Sequence, residues 1–400
     1  MKKINILFFS GSVGLGHINR DIAIANELRR QYPHVEISWL AISPASDVLL
    51  EAGEHLLPAS KLLSDENKTI EDVQKSGHHL NVINYLIKTR KGWNQNFKVY
   101  QSVTEQKHFD LFIGDETFEI SMTLVKKPAL KKLPFVFILD YIGLDPTGPG
   151  LKEKLIAYLV NRRGSKDYHP KNRVMDLTLF VGELEDVPDK SFGFLLPNRR
   201  DYAKKTCQFI GHILPFSPSD FIDTIHIRNK LGYGEAPLIV CSVGGTAVGK
   251  EILELCGQTY PIVKQHIPNL RMLLVAGPRL SADSIDVPQG VEVTGYVPGL
   301  HEHFAASDLA IVQGGGTITL ELTALRKPFI YFPLEGNYEH EVIITERLNR
   351  HRAGVKMMYS NTTPKTLAEQ ILSNMGKDVD YASIPLDGAQ KAVQLISKFF

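Results

Sequence analysis

Apolar residues in this chain fall in short unbroken runs, each closed by glycine, proline or charge and followed by helical spacing. Ile4–Ser10 is too continuous for a half-exposed strand and predicts a buried one. Asp21–Arg30 places Ile22, Ala25 and Leu28 on one helical face. Val35–Ala41, Leu111–Gly114 and Phe135–Leu139 predict further strands. A second series starts after residue 230. Leu238–Val243, Met272–Ala276, Val291–Thr294, Leu309–Val312 and Phe329–Phe332 predict strands, and Glu251–Gln265 and Thr319–Leu325 predict helices. Strands alternating with helices predict parallel βαβ units, so the pattern calls for two α/β sheets in succession. Between them, Phe209–Ser219 is rich in Pro, Gly and Ser and predicts a linker. The expected domains are 1–215 and 216–400, with the last helix free to pack back on the first domain, and a ligand is expected in the cleft between the two sheets. Glu51–Gln106 is the least regular stretch and reads as polar helices and loops shaping an acceptor pocket.

At 400 residues the chain is too long for one ordinary domain. Lys and Arg number 45 against 44 Asp and Glu, so there is no basic surplus for gripping a nucleic-acid backbone. Three scattered cysteines, Cys207, Cys241 and Cys256, make neither a disulfide framework nor a zinc site and point to the cytoplasm. The opening Met1-Lys2-Lys3 before an apolar run imitates a secretion signal, but the run is short and ends in a glycine loop. No stretch approaches 18 uninterrupted apolar residues.

Three glycine-rich turns follow strands: Ser10–His17, Gly244–Lys250 and Gln313–Thr317. Glycine lets a backbone turn tightly and approach a ligand, and a helix N-terminus behind it attracts an anion. The first loop reads Gly-x-x-Gly-x-Gly, and Trp39-Leu40-Ala41 carries no acidic residue, which argues against a dinucleotide dehydrogenase. Gly244–Lys250 resembles a P-loop, but Glu251 stands where the magnesium-binding hydroxyl belongs. A nucleotide-sugar site, with the second and third loops holding a diphosphate, fits better than either. The glycines as plain βα turns remain the bland alternative.

The stretch from Gly295 to Glu341 resembles the donor-binding half of the GT-B glycosyltransferases, in the branch of the UDP-glycosyltransferases and MurG enzymes. Gly295-Tyr296-Val297-Pro298 is similar to the loop that meets the nucleobase, and Ala306–Leu309 to the step before the next strand. Gln313-Gly314-Gly315-Gly316-Thr317 is similar to the family's His-Gly-Gly-x-Gly-Thr loop, with Gln313 in place of the histidine. Glu321 stands eight residues later, where the family keeps its ribose carboxylate. Lys327–Pro333 resembles the following strand, and Gly14-x-Gly16-His17 resembles the acceptor-side turn. The acidic-Gln pair that reads the sugar has no clean copy, and Glu339-His340, after Asn337, is the best substitute.

The resemblance implies two Rossmann-like domains facing across a cleft, an inverting transfer from a nucleotide-diphospho-sugar, UDP-linked by preference, and no obligatory metal or other cofactor. His17 suits a general base, since histidine is the side chain that readily exchanges a proton in neutral water and this one follows a glycine loop. Asp115 is the carboxylate expected to orient it, Glu116 is the runner-up, and helix caps are the alternative for His17 and Asp115. Amides of Gly245, Thr246, Gly315, Gly316 and Thr317, beside Gly244 and Gly314, are expected on the diphosphate, and backbone groups of Tyr296 and Val297 on uracil. Arg279 either neutralises phosphate or lines the rim. The acceptor is a hydroxyl on a small molecule, lipid or glycan. Basic pairs at 126–127, 131–132, 162–163 and 199–200 read as a solvated face, or more sharply as contact with the inner face of an anionic membrane. His78-His79 with His55 lacks metal-ligand spacing. A UDP-sugar 2-epimerase and a non-catalytic nucleotide-sugar-binding protein are the competing readings.

Overall fold

The computed structural model describes residues 3–11, 15–65, 68, 82–146, 150–167, 173–245 and 248–400. These form two compact units. The first comprises the described residues of Met1–Ile70, Asn81–Pro215 and Pro385–Phe400, and the second those of Phe216–Ile384.

The first unit is built on a parallel sheet of β1 (Ile4–Phe9), β2 (Val35–Leu40), β3 (Leu111–Asp115), β4 (Phe135–Leu139), β5 (Leu177–Val181) and β6 (Gln208–Gly211), in the order β2-β1-β3-β4-β5-β6. Side chains alternate between faces along a strand, and both faces are covered. Ile4, Ile6 and Phe8 of β1 enter one core, while Leu7 and Phe9 enter another. That double burial is why the strands read as unbroken apolar runs.

The second unit repeats the scheme with β7 (Leu238–Ser242), β8 (Arg271–Val275), β9 (Glu292–Thr294), β10 (Leu309–Gln313), β11 (Phe329–Phe332) and β12 (Val355–Lys356). Their order is β12-β11-β10-β7-β8-β9, again parallel. Ile239 and Cys241 face one core, and Leu238 and Val240 the other.

The sequence expectation omits β5 and β12, and it falls short of the structure at three further stretches. Helix α1 runs Gly16–Gln31, so the glycine loop passes directly into it rather than through a spacer up to Asp21. Within the polar region lies a long helix, α2 (Val82–Gln106), whose 25 residues bury Phe97, Tyr100 and Val103. Its apolar stripe is narrow, and the charges of Lys88, Arg90 and Lys91 obscure the period. The expected linker contains β6: Gln208–Gly211 pairs with β5 at the sheet edge, where a strand short enough to look like a turn suffices.

Helix α3 (Leu151–Asp167) follows β4. In the second unit α4 (Lys250–His266) follows β7 and α5 (Gly316–Ala324) follows β10. Helix α6 (Gly388–Ile396) buries Ala392, Val393 and Ile396 in the same core as Ile18, Ile24 and Leu28 of α1. It enters close to the backbone: a Cβ on Gly388 would lie 2.6 Å from the His212 carbonyl oxygen. Among the described residues, no helix is long and apolar enough to cross a membrane.

Candidate functional site

In a parallel sheet, ligands collect at the carboxyl edge where the strand order reverses, because the flanking helices there depart to opposite faces and leave a crevice. In the first unit that point lies between β1 and β3. Two sequence candidates meet there. His17 sits in the first turn of α1, Asp115 ends β3, and His17 Nδ1 is 3.2 Å from Asp115 Oδ2. Gly11 makes the approach possible, since a Cβ there would come within 3.1 Å of the His17 ring and 3.2 Å of the Asp115 carbonyl oxygen.

The sequence reading missed the group at the centre of this cluster. Arg20, one turn beyond His17, is buried and donates from Nε to Asp115 Oδ2 at 2.7 Å and from Nη2 to Asp115 Oδ1 at 2.5 Å. Its Nη1 donates to Asp140 Oδ2 at 2.6 Å. Asp140 follows β4 as Asp115 closes β3, so carboxylates at successive strand ends were a readable signal. Burial alone would raise the Asp115 carboxyl, but the Arg20 guanidinium and His17 override it and hold it well below the usual carboxylate range. Asp140 is lowered by the same two groups against burial. Two further acids go the other way. Burial, reinforced by the Asp140 charge, pushes Glu116 well up, and burial with the Asp115 charge does the same to Asp21, which accepts from Ser10 Oγ at 2.6 Å. One buried cation thus holds two carboxylates down, while two neighbouring acids are pushed up by burial and by those charges.

Two details bear on His17. Arg20 Nη2 lies 2.8 Å from His17 Nδ1, the same nitrogen that faces Asp115. A guanidinium only donates, so Nδ1 either accepts from Arg20 and leaves the proton on Nε2, or carries the proton and donates to Asp115. The second tautomer frees Nε2 to accept a proton. Nε2 itself looks toward Glu116 Oε2 at 3.8 Å. Glu116 holds a left-handed backbone, φ 49°, which is costly for a side-chain-bearing residue, and is kept there by a bond from its N–H to the Ile138 carbonyl at 2.9 Å. Gly16 opens α1; Gly14 lies outside the described residues.

In the second unit the order reverses between β7 and β10. The loops after β7, β8, β10 and β11 abut there. A Cβ on Gly277 would stand 2.3 Å from the Gly244 carbonyl oxygen, and one on Gly249 would stand 3.4 Å from Gln313 Nε2. A Cβ on Gly314 would meet Pro333 at 3.1 Å, and one on Gly316 would lie 3.7 Å from Glu339 Oε1. Gly244, Gly249 and Gly277 all carry positive φ, between 83° and 105°, so glycine is required there for backbone reasons as well. The structure therefore gathers Gly244, Gly245, Gln313, Gly314, Gly315, Gly316, Thr317 and Glu339 at one edge. Thr246 lies outside the described residues. Arg279 follows β8, and Tyr296 and Val297 follow β9 at the flank of the sheet.

No side chain caps α5, whose N-cap is Gly315, so its first amides are open to an anion. Gln313 is buried, with Nε2 lacking a partner among the described residues. Glu321, one turn along α5 from Thr317, is 7% exposed and has no side-chain partner among the described residues. Burial pushes its carboxyl up to about 8. Asn337 and His340 brace their own turn: Asn337 Oδ1 accepts from the His340 N–H at 3.0 Å, and His340 Nδ1 accepts from the Leu334 N–H at 3.2 Å. Burial pushes His340 down to about 4, so it is neutral near pH 7.

The basic pairs separate on inspection. Arg199 is buried against Asp145 at 2.8 Å and belongs to the interior rather than to a solvated face. Lys131 pairs with Asp176 at 2.6 Å and Lys132 with Glu105 at 3.1 Å, whereas Arg162 and Arg163 are exposed.

Residues 239–396 match the glycosyltransferase family 28 C-terminal domain. Two relatives share the name UDP-N-acetylglucosamine–N-acetylmuramyl-(pentapeptide) pyrophosphoryl-undecaprenol N-acetylglucosamine transferase. The one from Carboxydothermus hydrogenoformans is 29% identical over 122 residues, 28% of this chain and a third (33%) of that protein. The one from Clostridioides difficile is 22% identical over 385 residues, 93% of this chain and 81% of that protein. Among solved structures, the glycotransferase of kitacinnamycin superposes with a TM-score of 0.61 at 15% identity, covering 100% of both chains. The Streptomyces glycosyltransferase SsfS6, in complex with thymidine diphosphate, superposes at 0.53 and 13% identity over 99% of both chains. These likenesses show the fold, two Rossmann-like units of the GT-B kind.

Proposed function

The chain belongs to the GT-B glycosyltransferases of the MurG-like, family 1 and 28 branch, and from that premise we propose that it transfers a sugar from a UDP-linked donor to a hydroxyl with inversion. The observation that carries this reading is the edge between β7 and β10. An uncapped helix end, a buried unpartnered amide at Gln313 and a buried unpartnered carboxyl at Glu321 lie along one helix start there. The first two suit a diphosphate, and the third suits the paired hydroxyls of a ribose.

In the proposed reaction the acceptor oxygen attacks the anomeric carbon from the face opposite the diphosphate. The new carbon–oxygen bond forms as the bond to the diphosphate oxygen breaks. The acceptor proton passes to Nε2 of His17, whose Nδ1–H then donates to Asp115. Arg20 keeps Asp115 ionised, so the positive charge arriving on His17 meets a fixed carboxylate. The leaving diphosphate gathers negative charge against the amides of Gly245, Gly315, Gly316 and Thr317, with each well-placed donor contributing on the order of 3 kcal/mol. Tyr296 and Val297 flank the base, and Glu339, above Gly316, addresses the sugar. Neither step calls on a metal. The acceptor is a small molecule, lipid or glycan; the lipid-linked acceptor in the relatives' names makes a lipid the first to try, at the inner face of the membrane. The three free, buried cysteines suit the cytoplasm.

A donor panel scored by nucleoside diphosphate release, with and without lipid and small-molecule acceptors, tests this. Acceptor-dependent UDP release is the expected result. Formation of a 2-epimer from UDP-GlcNAc without acceptor would replace the transferase with an epimerase, and nucleotide binding without turnover would leave a binding protein.

A further inference from the structure

Four acids, Asp21, Asp115, Glu116 and Asp140, share the guanidinium of Arg20. Arg20 and Asp21 come from α1, Asp115 and Glu116 from the end of β3, and Asp140 from the end of β4. That excess of acid poses a problem for His17. A carboxylate within reach of a histidine nitrogen holds a proton on it, and a nitrogen that already carries a proton cannot take one from an alcohol. Asp115 does no harm, because it faces Nδ1. Glu116 is the difficult group, since its Oε2 lies 3.8 Å from Nε2, the nitrogen that has to stay bare.

The backbone fixes Glu116 at this point. Its φ of 49° is held by the bond from its N–H to Ile138, and its own carbonyl accepts from the Phe118 N–H at 2.7 Å. Glycine would sit there without strain, so the chain tolerates strain in order to keep a side chain here. The side chain has a second neighbour, for Glu116 is hydrogen-bonded to Asp140. An ionised carboxylate has no hydrogen to give, so a bond between two carboxyls contains a proton. Among the described residues no donor reaches the buried Glu116 Oε1, so that proton is the pair's own. Asp140 is the better anion of the two, because Arg20 Nη1 donates to its Oδ2 at 2.6 Å. Burial and the Asp140 charge push Glu116 up, whereas at Asp140 burial is outweighed by Arg20, His17 and the bond from Glu116. The proton therefore sits on Glu116 and points at Asp140.

We propose that Glu116 is a positioning residue for His17: the proton it shares with Asp140 withholds its carboxyl from Nε2 and leaves that nitrogen open to the acceptor hydroxyl. Once Nε2 has taken the acceptor's proton it becomes a donor, and the same Glu116 oxygen then lies ready to receive it. The consequence for the acceptor rests on the transferase reading; the shared proton and its hold on Nε2 do not.

The test reads the His17 ring of the full chain without substrates. Nitrogen NMR spectra, assigned by the signals lost in His17→Ala and taken in mildly alkaline buffer, show whether Nε2 carries hydrogen. The parent should show it bare, and so should Glu116→Gln, whose amide donates to Asp140 in the acid's place. Asp140→Asn reverses the pair. Its Oδ1 still accepts from Arg20, but its Nδ2–H donates to Glu116, which then keeps its charge and draws a proton onto Nε2. Adding Glu116→Gln to Asp140→Asn removes that charge and should return Nε2 to the bare form. In transfer assays Asp140→Asn should lower kcat by at least about tenfold, and the added Glu116→Gln should restore at least about fivefold, a rescue that a merely structural role would not give. Infrared difference spectra of the parent against Glu116→Gln should contain the carbonyl band of an un-ionised acid. Nε2 still bare in Asp140→Asn, additive losses in the double variant, or a missing carbonyl band overturns the proposal. If Asp140→Asn does not fold, the infrared difference decides, because Glu116→Gln leaves Arg20 both of its carboxylates. Acceptor-dependent UDP release with Nε2 unmoved keeps the transferase reading and overturns this role for Glu116. The Nε2 response without UDP release from any donor keeps the pair and loses the transferase reading.

Discussion

Replacing Glu321 with glutamine separates the carboxyl's charge from its shape. Its titration is raised from 4.5 to about 8 by burial, so at pH 7 roughly nine-tenths of molecules hold it protonated. The folded chain keeps a proton that the unfolded chain releases above its ordinary value. Stability from this group is therefore greatest below about pH 4.5 and is lost as pH rises through about 8, by at most on the order of 5 kcal/mol. Glu321→Gln should flatten that limb. The ligand adds a sharper test. Two ribose hydroxyls donate best to an ionised carboxylate, so UDP binding at pH 7 should expel close to one proton from Glu321. Calorimetric titration with UDP in buffers of different ionisation enthalpy measures the proton count directly. Subtracting the count for Glu321→Gln removes the contribution of the nucleotide's own phosphate. A difference near zero, with both proteins still binding UDP, would refute the assignment of Glu321 to the ribose.

Further outcomes follow from the same geometry. His17→Ala should lower kcat by about 10²–10⁴ while donor KM holds, and transfer at an undiminished rate would remove His17 as the base. Arg20→Met leaves the buried Asp115 and the half-buried Asp140 without their cation, an expected loss of about 3–5 kcal/mol in chemical denaturation; a loss under 1 kcal/mol would show that the cluster does not depend on it. Gly277→Ala drives a Cβ into the Gly244 carbonyl at 2.3 Å, so UDP affinity should fall while the first unit's fold is untouched; unchanged affinity by calorimetry would place the diphosphate elsewhere.

The strands were the legible part of this fold. Both of their faces are buried, and Phe135–Leu139 and Phe329–Phe332 stand where the apolar runs put them. Edge strands β2 and β9 were expected too, but β6 was not, because it needs only four residues and one partner, and its glycine and neighbouring prolines read as a turn. Helix α2 was hidden by its own solvated face. Among the candidate site residues, His17 and Asp115 were suggested by their places at loop and strand ends, and Glu321 by the family resemblance. The Arg20 cluster was not, because Arg20 meets Asp115 and Asp140 across 95 and 120 residues and only the strand order brings them together. Buried arginine is also the exception among arginines, so its letter alone points to the surface.

Helix α6 has a consequence for synthesis. Ala392, Val393 and Ile396 complete a core otherwise built from residues between Ile4 and Ile213, with Ile18, Ile24 and Leu28 among its walls. A ribosome makes the chain in order, at about 5–20 residues per second. The first unit therefore waits, its apolar wall open to water, while the second unit is made, and closes only after residues 385–400 are free of the exit tunnel. The second unit, continuous from Phe216 to Ile384 among the described residues, can close before the first. The unit translated second can thus be complete before the one translated first, and the interval of roughly ten to forty seconds is when the first unit's open wall is exposed to chaperones and to aggregation.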